Sequence, residues 1–139
     1  MSGSELAAVA RAAGVVAWAH AVDVDTGREV GLHPDTPVVA ASVFKVPVLV
    51  ELCCQYASGA IDPQARVRVA AGQWPVAGGT GLSVFSDDVE LSVRDLALLM
   101  MSVSDNRATD VISDMLGLAA INARMAEAGL PGTVLEADC

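Results

Sequence analysis

The chain has 139 residues, of which 53% are hydrophobic and 18% charged, and its formal net charge is −9 at pH 7. This length fits one globular domain, and the acidic balance argues against nucleic-acid binding, which needs clustered Lys and Arg. The longest apolar stretch, 46–52, is interrupted by Pro47 and Glu51 and is too short for a membrane span.

The first five residues have neither the basic flank nor the apolar core of a secretory signal. The sequence as written therefore predicts a cytoplasmic protein, or a periplasmic or secreted one if its N-terminus was trimmed. Three cysteines, Cys53, Cys54 and Cys139, are too few and too unevenly spaced for a disulfide framework or a zinc site. We interpret them as reduced structural thiols and expect no metal.

The first elements along the chain are a short helix and a hairpin. Ser4 is a candidate cap for a helix that Gly14 closes. Residues 15–25 alternate between apolar and polar, and a turn at 25–27 leads into a second strand over 28–32. His20 on the first strand and His33 in the following loop lack a Ser-His-Asp context, so both are interpreted as structural.

A helical pattern begins at Ser42 and stops at Gly59. Pro47 has no N–H to donate to the carbonyl of Val43, so it predicts either a kink or an irregular first turn beside Ser42. The rest of the pattern predicts a short strand over 66–69, a loop over 71–83, a helix from Ser92 capped through Asp95, a break at 102–104, and helices ending at 117 and 129.

Lys45 is the only lysine of the chain and lies in an apolar stretch. An ammonium there must snorkel, pair with another group or lose its proton. Ser42 lies three residues earlier, on the same face of a helix, so a hydroxyl comes within reach of a base and can be activated as a nucleophile. In the simpler interpretation Ser42 is a helix cap and Lys45 a snorkelling surface residue.

The second polar motif is Ser104-Asp105-Asn106, at a junction between two predicted helices. All three residue types suit a helix N-cap, so capping alone explains their presence. Capping and a catalytic role are compatible, however, because a cap places its side chain at the positive end of a helix dipole.

Together the two motifs resemble the class A β-lactamase and penicillin-binding serine hydrolase family, which pairs Ser-x-x-Lys with Ser-Asp-Asn. The resemblance covers nearly the whole chain, through the segments 22–27, 40–46, 91–96 and 103–109. It implies an α/β fold of the β-lactamase/transpeptidase type: an antiparallel sheet with helices on both faces, plus a helical subdomain. We expect one incomplete domain, with residues 1–34 as helix and hairpin and 35–139 as the helical region.

The resemblance also implies a role for each motif residue. Ser42 would attack the lactam carbonyl, and Lys45 would be the base for acylation or the partner of a base. Ser104 would relay a proton to the departing nitrogen, Asn106 would hold Lys45 and the substrate amide, and Asp105 would be a structural anchor. No cofactor is implied, and the expected partner is a small β-lactam or acyl substrate.

The sequence departs from the family pattern at its C-terminal end. A Lys-Thr-Gly motif, which in the family accompanies the second oxyanion N–H, is absent because Lys45 is the only lysine. Glu136 stands near the expected position of the deacylating glutamate, but its surroundings do not resemble the family loop, so it is not assigned. We favour an N-terminal piece of a longer protein over a natural product whose sheet is completed by a missing C-terminal segment.

These observations predict an active-site serine hydrolase that opens β-lactams through an acyl-enzyme on Ser42, with this chain incomplete for turnover. The alternatives are a penicillin-binding peptidase or esterase-like relative, and a non-catalytic fragment that keeps the motifs without the activity.

Overall fold

The computed structural model describes residues 2–72 and 79–136. The chain separates into two compact units, residues 1–39 and residues 40–139. Within the described residues there are five α-helices and two separate antiparallel pairs of strands.

The first unit consists of a helix and a β-hairpin. Helix α1 spans Gly3–Ala13, and strands β1 (Ala19–Val22) and β2 (Glu29–Leu32) pair in the register that puts Ala19 opposite Leu32. The predicted cap is wrong by two residues, because Ser2 accepts the backbone N–H of Glu5 while the Glu5 carboxylate accepts from Ser2. The first predicted strand is too long, since only four of its eleven residues pair with β2.

The second unit carries the remaining elements. It begins with a 3₁₀ turn over Ala41–Phe44, and a second 3₁₀ turn over Gly81–Val84 follows later. Strands β3 (Arg66–Val69) and β4 (Val89–Ser92) pair antiparallel, with Arg66 opposite Ser92. The other elements are α2 (Lys45–Ser58), α3 (Val93–Ser102), α4 (Asn106–Leu116) and α5 (Leu118–Glu127).

The apolar core lies within the second unit. Its largest buried side chains come from α2, α3, α4 and α5, at helical spacings that place one apolar face of each helix inward. The members with no exposed surface are Val48, Leu52, Val93, Leu96, Ala108, Ile112 and Ile121. In the first unit, by contrast, none of the described residues is buried.

Pro47 lies in the first turn of α2, as its third residue. The first N–H groups of a helix have no intrahelical acceptor, so a proline costs little there. The chain enters the helix through the 3₁₀ turn that contains Ser42, rather than through a regular α-turn. Of the two predicted outcomes, the irregular first turn beside Ser42 is the one observed.

Candidate active site

Two loop-to-helix junctions bring the motif residues together. Ser42 lies in the 3₁₀ turn before α2, and Lys45 is the first residue of α2. Ser104 and Asp105 precede α4, which begins at Asn106. Because α2 and α4 pack against each other in the core, the two junctions meet although they are separated by about sixty residues in sequence.

Lys45 is buried beneath this junction, with 2% of its surface exposed. Its Nζ donates to the carbonyl oxygen of Ser104 at 2.7 Å, to Ser104 Oγ at 2.9 Å and to Asn106 Oδ1 at 2.7 Å. An ammonium has three N–H donors, and here each of them has an acceptor. The burial of this charge is therefore compensated by hydrogen bonds, and no carboxylate of residues 2–72 or 79–136 is among its partners.

Ser42 and Ser104 form the exposed layer above Lys45. Ser104 Oγ donates to Ser42 Oγ at 3.0 Å and at the same time accepts from Lys45. Among the described residues, no hydrogen bond joins Lys45 directly to Ser42. The hydroxyl of Ser104 thus stands between the predicted nucleophile and the predicted base.

Asp105 is fully buried and is bonded entirely to the protein backbone. Its two carboxylate oxygens accept the N–H of Ala108 at 3.0 Å, which caps α4, and the N–H of Leu82 at 2.7 Å. Its own carbonyl accepts the hydroxyl of Thr109 at 2.6 Å. These bonds fasten the loop that carries Ser104 both to α4 and to the turn over Gly81–Val84.

Two non-glycine residues at the site have left-handed backbone conformations. Ala41, directly before Ser42, has φ 45°, and Ser104 has φ 56°. Such conformations cost on the order of 1–3 kcal/mol and persist only where the surroundings over-determine them. At Ser104 that constraint is visible, because Asp105 is tied on both sides and the Ser104 carbonyl accepts from Lys45.

The middle of α2 is fixed by an ion pair with α5. Glu51 is buried and accepts from Gln55 Nε2 and from Arg124 Nε, each at 2.8 Å. Burial raises the pKa of Glu51, but the hydrogen bonds from Gln55 and Arg124 outweigh it and leave that pKa below its ordinary value. Helix α2 is therefore anchored at its first residue, Lys45, and at its middle, Glu51.

An open cleft of about 290 Å³ lies beside the two hydroxyls. Apolar side chains from the 3₁₀ turn and from the end of α3 form its walls, and its polar surface comes from the motif residues. It is lined by Ala40, Ala41, Ser42, Val43, Lys45, Met100, Met101 and Ser104.

The other residues considered from the sequence do not join this cluster. Glu136 is exposed, and no hydrogen bond links it to the motif residues within the described part of the chain. His20 pairs with Glu29 across the first hairpin at 3.1 Å. Cys53 is exposed and Cys54 half-buried on α2, while Cys139 lies outside the described residues. No group of metal-ligating side chains occurs in residues 2–72 and 79–136.

Sequence reasoning missed the contribution of the turn at Gly81. This glycine has φ 60°, and a Cβ at this position would collide with Asp105 Oδ2. Its neighbour Leu82 donates the backbone N–H that Asp105 accepts. Glycines in this loop were visible in the sequence, but nothing local indicated that one of them packs against a carboxylate more than twenty residues away.

Comparison with known proteins identifies the family of the chain. Residues 2–138 match the β-lactamase enzyme family. The chain belongs to this family. The β-lactamase regulatory protein BlaB of Streptomyces cacaoi is 34% identical over 107 residues, a stretch that covers 77% of this chain and 34% of BlaB.

Solved β-lactamase-family structures share the fold. A β-lactamase from Sphaerobacter thermophilus superposes with a TM-score of 0.88 at 29% identity, covering 99% of this chain and 52% of that one. A variant of PBP-A, solved as an acyl-enzyme complex with penicillin G, superposes with a TM-score of 0.73 at 29% identity, covering 82% of this chain and 43% of that one. These likenesses confirm the predicted β-lactamase-like fold.

The chain spans about half the length of these solved relatives and about a third of BlaB. Across residues 2–72 and 79–136, no helix of this β-lactamase-family chain has the length and apolar character needed to cross a membrane.

Proposed function

We propose that this chain is an acyl-accepting serine hydrolase of the β-lactamase type, which opens a β-lactam ring by forming an acyl-enzyme on Ser42. The observation that carries the proposal is the continuous hydrogen-bonded series from Ser42 Oγ through Ser104 Oγ to Lys45 Nζ. Family membership supports it, and a PBP-A variant with the same fold forms an acyl-enzyme with penicillin G.

The geometry supports a specific sequence of proton movements. The Ser42 hydroxyl first turns so that it donates to Ser104 Oγ, the reverse of the hydrogen bond in the resting arrangement. Ser42 Oγ then attacks the lactam carbonyl, and its proton passes to Ser104 Oγ as the new C–O bond forms. Ser104 in turn gives its proton to the lactam nitrogen as the C–N bond breaks. Lys45, whose three N–H groups are donated to Ser104 and Asn106, stabilises the negative charge that develops on Ser104 during this exchange.

This sequence makes Lys45 the partner of the proton-transferring group rather than the direct base for Ser42. Both roles were compatible with the Ser-x-x-Lys spacing. The partner role is favoured because Ser104 Oγ lies 3.0 Å from Ser42 Oγ and 2.9 Å from Lys45 Nζ, whereas every N–H of an ammonium at Lys45 is already engaged.

The test is the intact mass of the purified chain after prolonged incubation with a penicillin at millimolar concentration. We expect one stoichiometric adduct on the wild type and none on Ser42→Ala. Ser104→Ala should slow acylation about 10²–10⁴-fold, the usual contribution of a positioned proton-transfer group. Ser102→Ala is the matched control, because Ser102 is exposed two residues away and its hydroxyl donates to the Leu98 carbonyl rather than to a motif residue.

A penicillin-binding peptidase is the second candidate, and one observation favours it. Within the described residues, no carboxylate is hydrogen-bonded to Ser42 or Ser104, so none stands ready to activate a water for deacylation. A chromogenic cephalosporin separates the two candidates, because a β-lactamase turns over many equivalents and a peptidase stops near one. Absence of any adduct on the wild type would contradict both.

A further inference from the structure

The peptide group that joins Ser104 to Asp105 is hydrogen-bonded through both of its polar atoms. The carbonyl of Ser104 accepts from Lys45 Nζ at 2.7 Å, and the N–H of Asp105 donates to the Leu99 carbonyl at 3.3 Å. A rotation of this peptide group would turn the Ser104 side chain away from its two partners, Lys45 and Ser42. The position of the Ser104 hydroxyl therefore depends on whatever holds Asp105 in place.

The carboxylate of Asp105 links this peptide group to the turn over Gly81–Val84. Its Oδ2 accepts the N–H of Leu82 at 2.7 Å and its Oδ1 accepts the N–H of Ala108 at 3.0 Å, with none of the residue exposed. A buried carboxylate with both oxygens bonded cannot rotate without losing a bond. A displacement of the turn is therefore transmitted to the backbone of Asp105 and so to Ser104.

Gly81 packs directly against this carboxylate. A Cβ at Gly81 would collide with Asp105 Oδ2 and would lie 2.9 Å from its Cγ, a separation that folded proteins essentially never show. Asp105 cannot move aside freely, because it is buried and both of its oxygens are bonded. Gly81 also has φ 60°, a conformation that glycine adopts without steric cost. The turn thus requires glycine for its own backbone and for the approach of the carboxylate.

We infer that Gly81 is a positioning residue of the Ser42 site, which acts through Asp105 on the backbone of Ser104. A side chain at Gly81 would displace the carboxylate. The Ser104 hydroxyl would then leave its place 3.0 Å from Ser42 Oγ and 2.9 Å from Lys45 Nζ. The expected effect on rate rests on the proposed acyl transfer to Ser42, whereas the expected effect on the surroundings of Lys45 does not.

Gly81→Ala and Gly59→Ala form a matched pair of variants. Gly59 ends α2 with φ 75°, and a Cβ there would meet no atom of the described residues within 4 Å, its chain neighbours aside. Both substitutions therefore strain a left-handed backbone, and only the first displaces a carboxylate. Time courses of acylation by benzylpenicillin at several concentrations, followed by intact mass, separate the maximal rate from the concentration that gives half of it.

We expect Gly81→Ala to lower the maximal acylation rate on the order of 10²-fold, the effect of a misplacement of about 1 Å. The half-saturating concentration should stay unchanged, and Gly59→Ala should keep the wild-type rate. In an Asp105→Ala background Gly81→Ala should lower the rate little further, because the carboxylate with which it collides is gone. Losses that simply multiply would overturn the inference, since Gly81 would then act by another route.

Lys45 provides a second readout, which needs no acylation. It is the only lysine of the chain, so labelling with [ε-13C]lysine gives one Cε signal in an NMR spectrum. Ser104 supplies two of the three acceptors of its ammonium, so a displaced Ser104 should move this signal. We expect a shifted signal in Gly81→Ala and the wild-type signal in Gly59→Ala. An unchanged signal in folded Gly81→Ala would overturn the inference.

Asp105→Asn tests the same route if Gly81→Ala does not fold. It keeps the shape of the side chain and loses one of the two accepted bonds, so the Lys45 signal should again move, and an unchanged signal would overturn the inference. If the wild type forms no adduct, the proposed function fails and the Lys45 signal alone decides the inference. If the wild type and both glycine variants are acylated at one rate, the inference is overturned while the proposed acyl transfer stands.

Discussion

The part of the chain that the structure describes contains two β-hairpins of equal length and very different surroundings. In both, two four-residue strands pair antiparallel over four positions. The first hairpin is joined by a short turn over 23–28, and none of its strand residues is buried. The second is joined by a long connection over 70–88, and it buries Val69 and Ser92 against the helical core.

The difference shows that the second hairpin obtains its stability from the core rather than from its own turn. A two-stranded hairpin is marginal in isolation, and a longer closing loop adds only a slowly growing entropic cost. The long connection also has a second use, because it delivers the Leu82 N–H to Asp105 beneath the candidate site. A short turn like that of the first hairpin would leave this acceptor without its partner.

The largest effect on the free energy of unfolding is expected at the carboxylates that accept backbone N–H groups from each connection. Asp105 and Asp23 each accept two backbone N–H groups, but Asp105 is buried and Asp23 is exposed. Asp105→Ala should lower the free energy of unfolding by about 3 kcal/mol, because two buried donors lose their acceptor. Asp23→Ala should leave it unchanged within error. Urea unfolding followed by circular dichroism measures both.

Asp105→Asn provides the control, because its amide retains one acceptor oxygen and should give an intermediate loss. Equal destabilisation by the two alanine variants would show that the loss depends on the two accepted hydrogen bonds and not on the burial of the carboxylate.

A smaller effect is expected in the strands themselves. Val69 of β3 is 4% exposed, whereas Val22 of β1 is 48% exposed. Val69→Ala should cost about 2 kcal/mol, as the loss of buried methyl groups does in a packed core. Val22→Ala should stay within about 0.5 kcal/mol of the wild type. The same unfolding experiment applies, and a large loss from Val22→Ala would indicate that the first hairpin has an apolar partner.

The smallest change in the free energy of unfolding is expected when a buried ion pair is compared with an exposed one. Glu51 is buried and bonded to Arg124, while Glu90 pairs with Arg66 on the exposed face of the second hairpin. Glu51→Gln should cost about 1 kcal/mol at pH 7, the difference between a charged and a neutral hydrogen bond. Glu90→Gln should cost nothing measurable, because exposed pairs contribute little.

The difference in the free energy of unfolding between the wild type and Glu51→Gln should depend on pH. The pKa of Glu51 in the folded chain lies below its ordinary value of 4.5, so its ionised form stabilises the fold fully above that value. As the pH falls below 4.5 and the carboxylate is protonated, the difference between the wild type and Glu51→Gln should shrink toward zero. Urea unfolding at successive pH values checks this, and a difference that persists in acid would contradict it.

The elements that were predicted correctly are those with local signals. Residues within a few positions mark each of these elements: the turn at 25–27, the stops at Gly14, Gly59 and Gly117, and the cap at Ser92. Strand β4 was missed, because its four residues, Val89–Ser92, precede a strong helix signal and their partner lies twenty or more residues away. Its existence depends on the core, which no local pattern reveals.

The candidate site also has some features with local sequence signals and others without them. The spacing of Ser42 and Lys45 and the tripeptide at Ser104 indicated which residues belong together, through resemblance to a known family. The position of the Ser104 hydroxyl between Ser42 and Lys45 could not be predicted, because it depends on the left-handed backbone at Ser104 and on the Asp105 bonds to Leu82 and Ala108. The catalytic roles of these residues remain predictions.

Pro47 has a consequence for the unfolded chain. Its ring fixes one backbone angle before folding begins, so fewer conformations are lost when the first turn of α2 forms. The first N–H groups of a helix have no intrahelical acceptor, so the proline at this position loses no helical hydrogen bond that would offset the reduction in entropy. The residue that would break a helix at its centre thus stiffens the first turn of α2, which begins at Lys45 directly after the 3₁₀ turn that contains Ser42.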